Sequence, residues 1–429
     1  MLSTGRCSVV AAMNDTLSFG KDREPRSRPR WWLVVAAAGI AVALAAAFLW
    51  HRPGPQQHGA QSRPSAVGSS PAVLGEPGSP AAAPSPLPSE PARMTGQPLP
   101  RDASLSLLLG GQEPAWLSVA TGRTVPIRGL PSAGNGYQLI AIAGGWAAQP
   151  FPVGDVGCDT CAPGPLPVYY IADASRVASR IGAADYTASA ATPAALWLVS
   201  YPRGADMSTA AGDAQEISIT GASLGPRLRL PAGYAIDQGT RAGLLLVQEQ
   251  QQGSSPLRYE LWDPGTGRVT RSFVNLIAAS PAEIAWVPGC IAGCRVHVLN
   301  LSGGSVQEIA LPGRSKSYQG AFSPDGQFLA LLVTASVTAD GRPATIRLMV
   351  ATVASGRISA VPGTTVGSGN GVEFGWQPGS HRLIADVGVG ATGQPEWQVA
   401  VWRPGDARLS TALARTRNGS WPVLDEGPY

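Results

Sequence analysis

Histidine is scarce in this chain of 429 residues: there are four, and only His297, in a strand-like apolar run, and His381, in a turn, lie beyond residue 104. A Ser-His-Asp triad would have to use one of them, and no Gly-x-Ser-x-Gly elbow stands between a strand and a helix. Both therefore read as packing or surface residues. No Asp-x-Asp-x-Asp-Gly calcium loop is present. The stretch Gly363 to Gly371 (GTTVGSGNG) is followed by no helix, so it is neither a Walker loop nor a dinucleotide fingerprint but a loop between repeats. A net basic footprint is also missing from the folded part: Arg101 to Tyr429 carries 23 basic and 23 acidic side chains, and the formal +4 comes from the first hundred residues. Nucleic acid is thereby excluded as the expected partner. Carboxylates occur singly, among them Asp159, Asp173, Asp237, Asp263, Glu283, Asp325, Asp386 and Asp406. Several sit in turns, where Asp caps its own backbone. Two that face each other across a sugar could not be recognised from spacing. No catalytic residue, cofactor or metal ligand is assigned.

Cysteine is limited to five residues. Beyond Cys7 they form two close pairs, Cys158-Asp-Thr-Cys161 and Cys290-Ile-Ala-Gly-Cys294. In an oxidising compartment these are disulfide candidates with three possible connectivities, and pairing within each loop is the expectation. A four-thiolate zinc site has the right ligand count, but the second spacing and some 130 intervening residues disfavour it. Pro163, Pro165 and Pro167 after Cys161 leave no helix N-terminus to lower a thiol pKa, which argues against thioredoxin-like chemistry.

What is present divides the chain into four parts. Residues 1–30 read as a short cytoplasmic tail, with either Met1 or Met13 as the start. Residues 31–50 (WWLVVAAAGIAVALAAAFLW) carry no charge, and as a helix would span about 30 Å. Tryptophan stands at both ends, and Arg23, Arg26, Arg28 and Arg30 precede the run against Arg52 and Arg63 after it, so the N-terminus is placed inside and the rest outside. This predicts a single-pass signal anchor in the cell membrane; a cleaved signal peptide is the alternative. Residues 51–103 contain twelve prolines and no Phe, Trp or Tyr, a composition that cannot offset its ordering entropy and predicts a disordered stalk.

From 104 to 429, Gly-rich turns and period-two strands take over. Trp116-Leu-Ser-Val-Ala-Thr-Gly-Arg-Thr-Val, Tyr259-Glu-Leu-Trp-Asp-Pro-Gly-Thr-Gly-Arg-Val-Thr and Arg347-Leu-Met-Val-Ala-Thr-Val-Ala-Ser-Gly-Arg-Ile-Ser are copies of one hairpin. Seven such turns centre near Gly122, Ser175, Gly221 to Gly225, Gly267, Gly304, Gly356 and Asp406, at the spacing of one four-stranded propeller blade. The first unit shows only three strands, so Ser420-Trp-Pro-Val-Leu424 is expected to complete it and close the ring. The fold class is thus all-β, a seven-bladed β-propeller, or six-bladed if the Ile217 to Leu230 hairpin is spurious. Nine tryptophans beyond the membrane run fall mostly at strand positions and are expected to pack between blades, with one or two at the channel mouth.

The turn Phe322-Ser323-Pro324-Asp325-Gly326, followed by an apolar run, resembles the repeat of TolB-like (PD40, WD40-like) β-propellers. Trp376-Gln-Pro378-Gly379 reads as a second copy and Trp286-Val-Pro-Gly as a third. The resemblance implies a propeller fold and an extracytoplasmic interaction role rather than a catalytic set. The functional expectation is a non-enzymatic, membrane-anchored module binding an extracytoplasmic protein, glycan or envelope polymer. The alternative is a propeller enzyme, a glycan or peptide hydrolase or lyase, acting at the channel mouth. A peptidase of the propeller-bearing serine class would need a separate α/β-hydrolase domain, for which no residues after 104 remain.

Overall fold

The computed structural model describes residues 93–100, 103, 105–152, 162–173, 175–248, 257–289, 294–313, 315–337, 343–368, 371–389, 396–415 and 422–424. The chain divides into two units, Met1–Pro84 and Ser85–Tyr429, and all of these residues belong to the second. The apolar run 31–50, the stalk as far as residue 92, and Cys158, Cys161 and Cys290 lie outside the described residues.

Among the described residues there is no helix, and the strands form up-and-down antiparallel meanders. Six meanders of four strands occupy 137–184, 186–229, 234–274, 276–310, 317–360 and 372–415. A further meander has three strands, Ser106–Leu109, Ala115–Ser118 and Arg123–Pro126, and takes its fourth from the C-terminus. Pro422–Val423 pairs antiparallel with the first of these, Leu108 opposite Val423 and Leu109 opposite Pro422. Each turn expected near Gly122, Ser175, Gly221 to Gly225, Gly267, Gly304, Gly356 and Asp406 falls between the third and fourth strands of a meander, counting Pro422–Val423 as the first strand of the N-terminal one. The hairpin at 217–230 is genuine, with Asp213 opposite Arg229 and Ala214 opposite Leu228.

This is a β-propeller arrangement, but not the set of seven, or six, separate blades that the repeat spacing predicts. Five sheets of four or five strands stand apart, and a sixth sheet runs through eight strands. The cause is one parallel pair: Gln238, at a bulge in Tyr234–Thr240, meets Ser189 at the end of Tyr186–Ser189 and joins two meanders edge to edge. The first strands of neighbouring meanders also touch elsewhere, as Leu276–Ala279 does with Ser317–Phe322 and the latter with Val372–Trp376, so first strands lie innermost.

Apolar packing explains why the meanders stay together. Seven buried clusters each unite two consecutive meanders, and one of them joins the last to the first through Ile384, Val399 and Ala414 against Leu107, Leu117 and Leu424. A single meander would leave both faces wet, so burial is achieved only between neighbours. The tryptophans serve this role: Trp146, Trp197, Trp262, Trp376 and Trp402 are all buried in such clusters.

The propeller also reaches upstream of its expected start at residue 104. Gln97–Pro98, within the expected stalk, lies parallel to Ser410–Arg415 and extends the last meander to five strands. Met94 is buried in the cluster between the last two meanders, and its backbone exchanges two hydrogen bonds of 2.8 Å with the Gln398 side chain. Proline is tolerated here because the strand sits at a sheet edge, where its missing N–H breaks no ladder.

Candidate functional site at the Ser-Pro-Asp-Gly turn

The repeat turn is built by its own side chains. Phe322 ends the strand Ser317–Phe322 and Phe328 opens the next. Between them the Ser323 and Phe328 backbones pair, Ser323 N donating to Phe328 O at 2.8 Å. Ser323 Oγ accepts from Phe328 N at 2.9 Å and donates to Asp325 Oδ1 at 2.7 Å, which also accepts from Gln327 N at 3.1 Å. Pro324 fits the turn's first corner, and Gly326 supplies a φ of +72°.

The second copy docks onto the first from the neighbouring meander. Trp376 Nε1 donates to Ala321 O at 2.9 Å, and its ring stacks on Phe328 at a centroid distance of 6.0 Å. In the following turn Pro378 and Gly379, with φ +66°, bring His381 back so that its Nε2 lies 2.6 Å from Asp325 Oδ2. The His381 ring meets Phe328 edge-on at 5.5 Å. Six of the eight motif residues therefore lie in two adjacent turns on consecutive innermost hairpins, Trp376 ends the strand before the second turn, and Phe322 packs on the opposite side with the preceding meander.

The third copy is placed differently. Trp286 ends the second strand of its meander, so Trp286-Val-Pro-Gly is not at the equivalent hairpin. The equivalent position is held by Ser280-Pro281-Ala282: Ser280 N donates to Glu283 O at 2.8 Å, and Ser280 Oγ accepts from Ala282 N and Glu283 N. A search anchored on the aromatic misses it; the Ser-Pro pair and the spacing to the apolar run carry the signal.

Glu283 was visible only as one carboxylate among many, yet it completes the cluster. Its side chain is 6 % exposed, and Oε2 has no hydrogen-bond partner among the described residues. A Cβ added to Gly326 would stand 2.6 Å from that oxygen, so the turn needs glycine for space as well as for φ. Burial, reinforced by the Asp325 charge, pushes the Glu283 carboxyl up to about 7. For Asp325, burial opposes the charge, but hydrogen bonds from Ser323, the Gln327 amide and His381 outweigh it and hold the carboxyl below its ordinary range.

Serine, aspartate and histidine are thus within reach of one another, but wired differently from a hydrolytic triad. Ser323 donates a hydrogen bond to Asp325 and His381 contacts the other oxygen of the same carboxylate, so the imidazole does not address the serine as it does in a Ser-His-Asp triad. Of the other candidates, Asp263 caps Gly265 N and Thr266 Oγ1, and Asp406 caps Arg403 N. Asp237 sits at the bulge, where burial lifts it to about 7, and Asp386 is fully buried. His297 packs against Trp286, as a structural histidine does. Cys294 is buried beside Leu311 and Val296. Among the described residues no group of three His, Cys, Asp or Glu could hold a metal ion. A cavity of about 350 Å³ lies elsewhere, beside Thr95, Gly363 and Leu409, and its lining contains no carboxylate, histidine or thiol.

No family model matches the chain, and no curated protein matches it. Solved structures do. TolB from Acinetobacter baumannii aligns over 73 % of this chain and 78 % of its own at 11 % identity and a TM-score of 0.39. A puromycin hydrolase aligns over 73 % of this chain at 15 % identity and a TM-score of 0.41, and the aligned region spans 53 % of that enzyme. The β-propeller domain of the Trilobed protease from Pyrococcus furiosus aligns over 71 % of this chain and 97 % of its own at 9 % identity and a TM-score of 0.44. These neighbours include TolB and peptidase propellers, and the propeller assignment itself rests on the sheet order and inter-meander packing of this chain.

Proposed function

We propose that this chain is a non-enzymatic interaction module: a β-propeller held outside the cell membrane by the run 31–50 and a Pro-rich stalk, presenting its surface to a protein or envelope polymer. The observation that carries the reading is the wiring of the Ser-Pro-Asp-Gly turn, in which Ser323 shapes the turn and Asp325 with His381 holds two meanders together. In the same reading the eight-stranded sheet is two blades in contact at one residue pair, which makes a ring of seven closed by Pro422–Val423. Cys290 pairs with the buried Cys294, and Cys158 with Cys161, as loop staples suited to an oxidising compartment.

The second reading, a propeller enzyme, is favoured by one feature. Glu283 near 7 and Asp325 below its ordinary range are two carboxyls with their affinities for protons pushed apart, as in acid and base pairs. Glu283 Oε2, however, is buried against Gly326. The purified full chain, incubated with peptidoglycan fragments, neutral glycans and unstructured peptides at pH 5 to 8, is expected to release no product. Turnover that disappears in Glu283→Gln would establish the enzyme reading instead.

A further inference from the structure

The two ends of the meanders differ in charge. In an up-and-down meander, the turns joining first to second and third to fourth strands lie at one end and the remaining connections at the other. The first end carries nine arginines among the described residues. Arg123, Arg176, Arg227, Arg268, Arg357 and Arg408 stand at the entry to the fourth strand of six meanders, one each. Arg241, Arg382 and Arg403 lie in turns, the first two on innermost hairpins. Eight of the nine are exposed and Arg382 is half-buried. None has an ion pair with a described residue.

The carboxylates at that end do not balance them. Asp173, Asp263, Asp325, Asp406 and Glu283 lie there, five carboxyls against nine guanidinium groups, and Asp263, Asp325 and Asp406 accept hydrogen bonds from their own turns. At the opposite end Arg229, Arg258 and Arg295 are each paired, with Asp213, Glu260 and Glu308. A charged residue at an outermost strand protects that edge from pairing, but no edge is protected by Arg241 or Arg382 on the inner hairpins. Two large apolar side chains project from the same turns, Val177 at 59 % and Leu224 at 46 % exposure.

We infer that this arginine-rimmed end docks on a planar surface of anionic phospholipid headgroups. Guanidinium groups fork onto phosphate oxygens, and cations distributed over six of the seven meanders engage many headgroups of a plane at once, where a single polymer strand would meet only a few. Val177 and Leu224 then enter the headgroup boundary beside Arg176 and Arg227. The opposite end stays open to a partner. This inference stands whether or not the proposed partner exists.

The test uses the full chain with a dye on an introduced Thr121→Cys, mixed with vesicles carrying a headgroup acceptor, made either of phosphatidylcholine or of that lipid with 30 mol % phosphatidylglycerol. Energy transfer is expected to be strong with phosphatidylglycerol, weak without it, and abolished by about 0.5 M NaCl. The variant R123Q/R268Q/R357Q should lower docking on the order of a hundredfold, at about fivefold per arginine, whereas R203Q/K316Q at the other end should not change it. The apolar run and the basic N-terminus are common to all variants, so they cancel. If the triple variant fails to fold, R123Q and R357Q singly each read the fivefold step. Equal transfer in wild type and variants overturns the inference. So does binding of inorganic polyphosphate that the triple variant loses while vesicle docking stays the same, which would assign the rim to a soluble polyanion.

Discussion

Glu283 is the residue on which the chemistry of the repeat turn depends. Its Oε2 is buried against Gly326 without a donor among the described residues, and the carboxyl faces the Asp325 charge. An enclosed carboxyl of this kind keeps its proton to about 7 in the folded chain, against an ordinary 4.5 when unfolded. The group's stabilising contribution is therefore full below about 4.5 and is lost as the pH rises through about 7. Glu283→Gln keeps the shape and removes the titration. Urea unfolding midpoints at pH 5, 6.5 and 8 should show the wild type falling relative to the variant as pH rises; parallel curves would contradict the enclosed carboxyl. Asp325 and its hydrogen-bonded partners are common to both proteins, so they cancel in the difference, and the Asp325 shift acts at lower pH in any case.

At the scale of elements, two short segments close the structure, and each is anchored by one apolar side chain. Leu424 follows the closing strand Pro422–Val423 and is buried with Leu105, Leu107 and Leu109. Met94 precedes Gln97–Pro98 and is buried between the last two meanders. Leu424→Ala and Met94→Ala should each cost about 2 to 5 kcal/mol, the range for truncating a buried aliphatic side chain, read from denaturant unfolding. The two sites lie in different clusters, so their costs should add. A loss near zero at either would mean that the segment is not held as described.

The same two segments show what was legible in the sequence. The hairpins were, because period-two strands and turn glycines are local signals, and the closing strand could be argued from a first unit one strand short. Gln97–Pro98 could not, because its composition matches the Pro-rich stretch before it and its parallel pairing to residues more than 300 positions away leaves no local trace. The joining of two meanders through Gln238 and Ser189 depends on a bulge, and the lock between Asp325 and His381 spans 56 positions. The motif turn was legible as a turn; its contact with Glu283 and its bond to His381 were not.

Over the whole propeller, Asp325 and His381 join two meanders, and seven apolar clusters each unite two neighbouring meanders, one of them the last with the first. Such a scaffold can vary its exposed turns without disturbing its packing, which suits a binding surface. The central claim is that this surface has a partner. Photo-cross-linking of the full chain in its own cells tests it most directly, with the photoreactive residue placed in turn at Ser132, Arg203 and Lys316 on the end opposite the arginine rim, and at Thr121 as the contrast. A discrete adduct, protein or polymer, is expected from at least one of the three opposite positions. The absence of any adduct from those positions, together with turnover of a glycan or peptide, would contradict it.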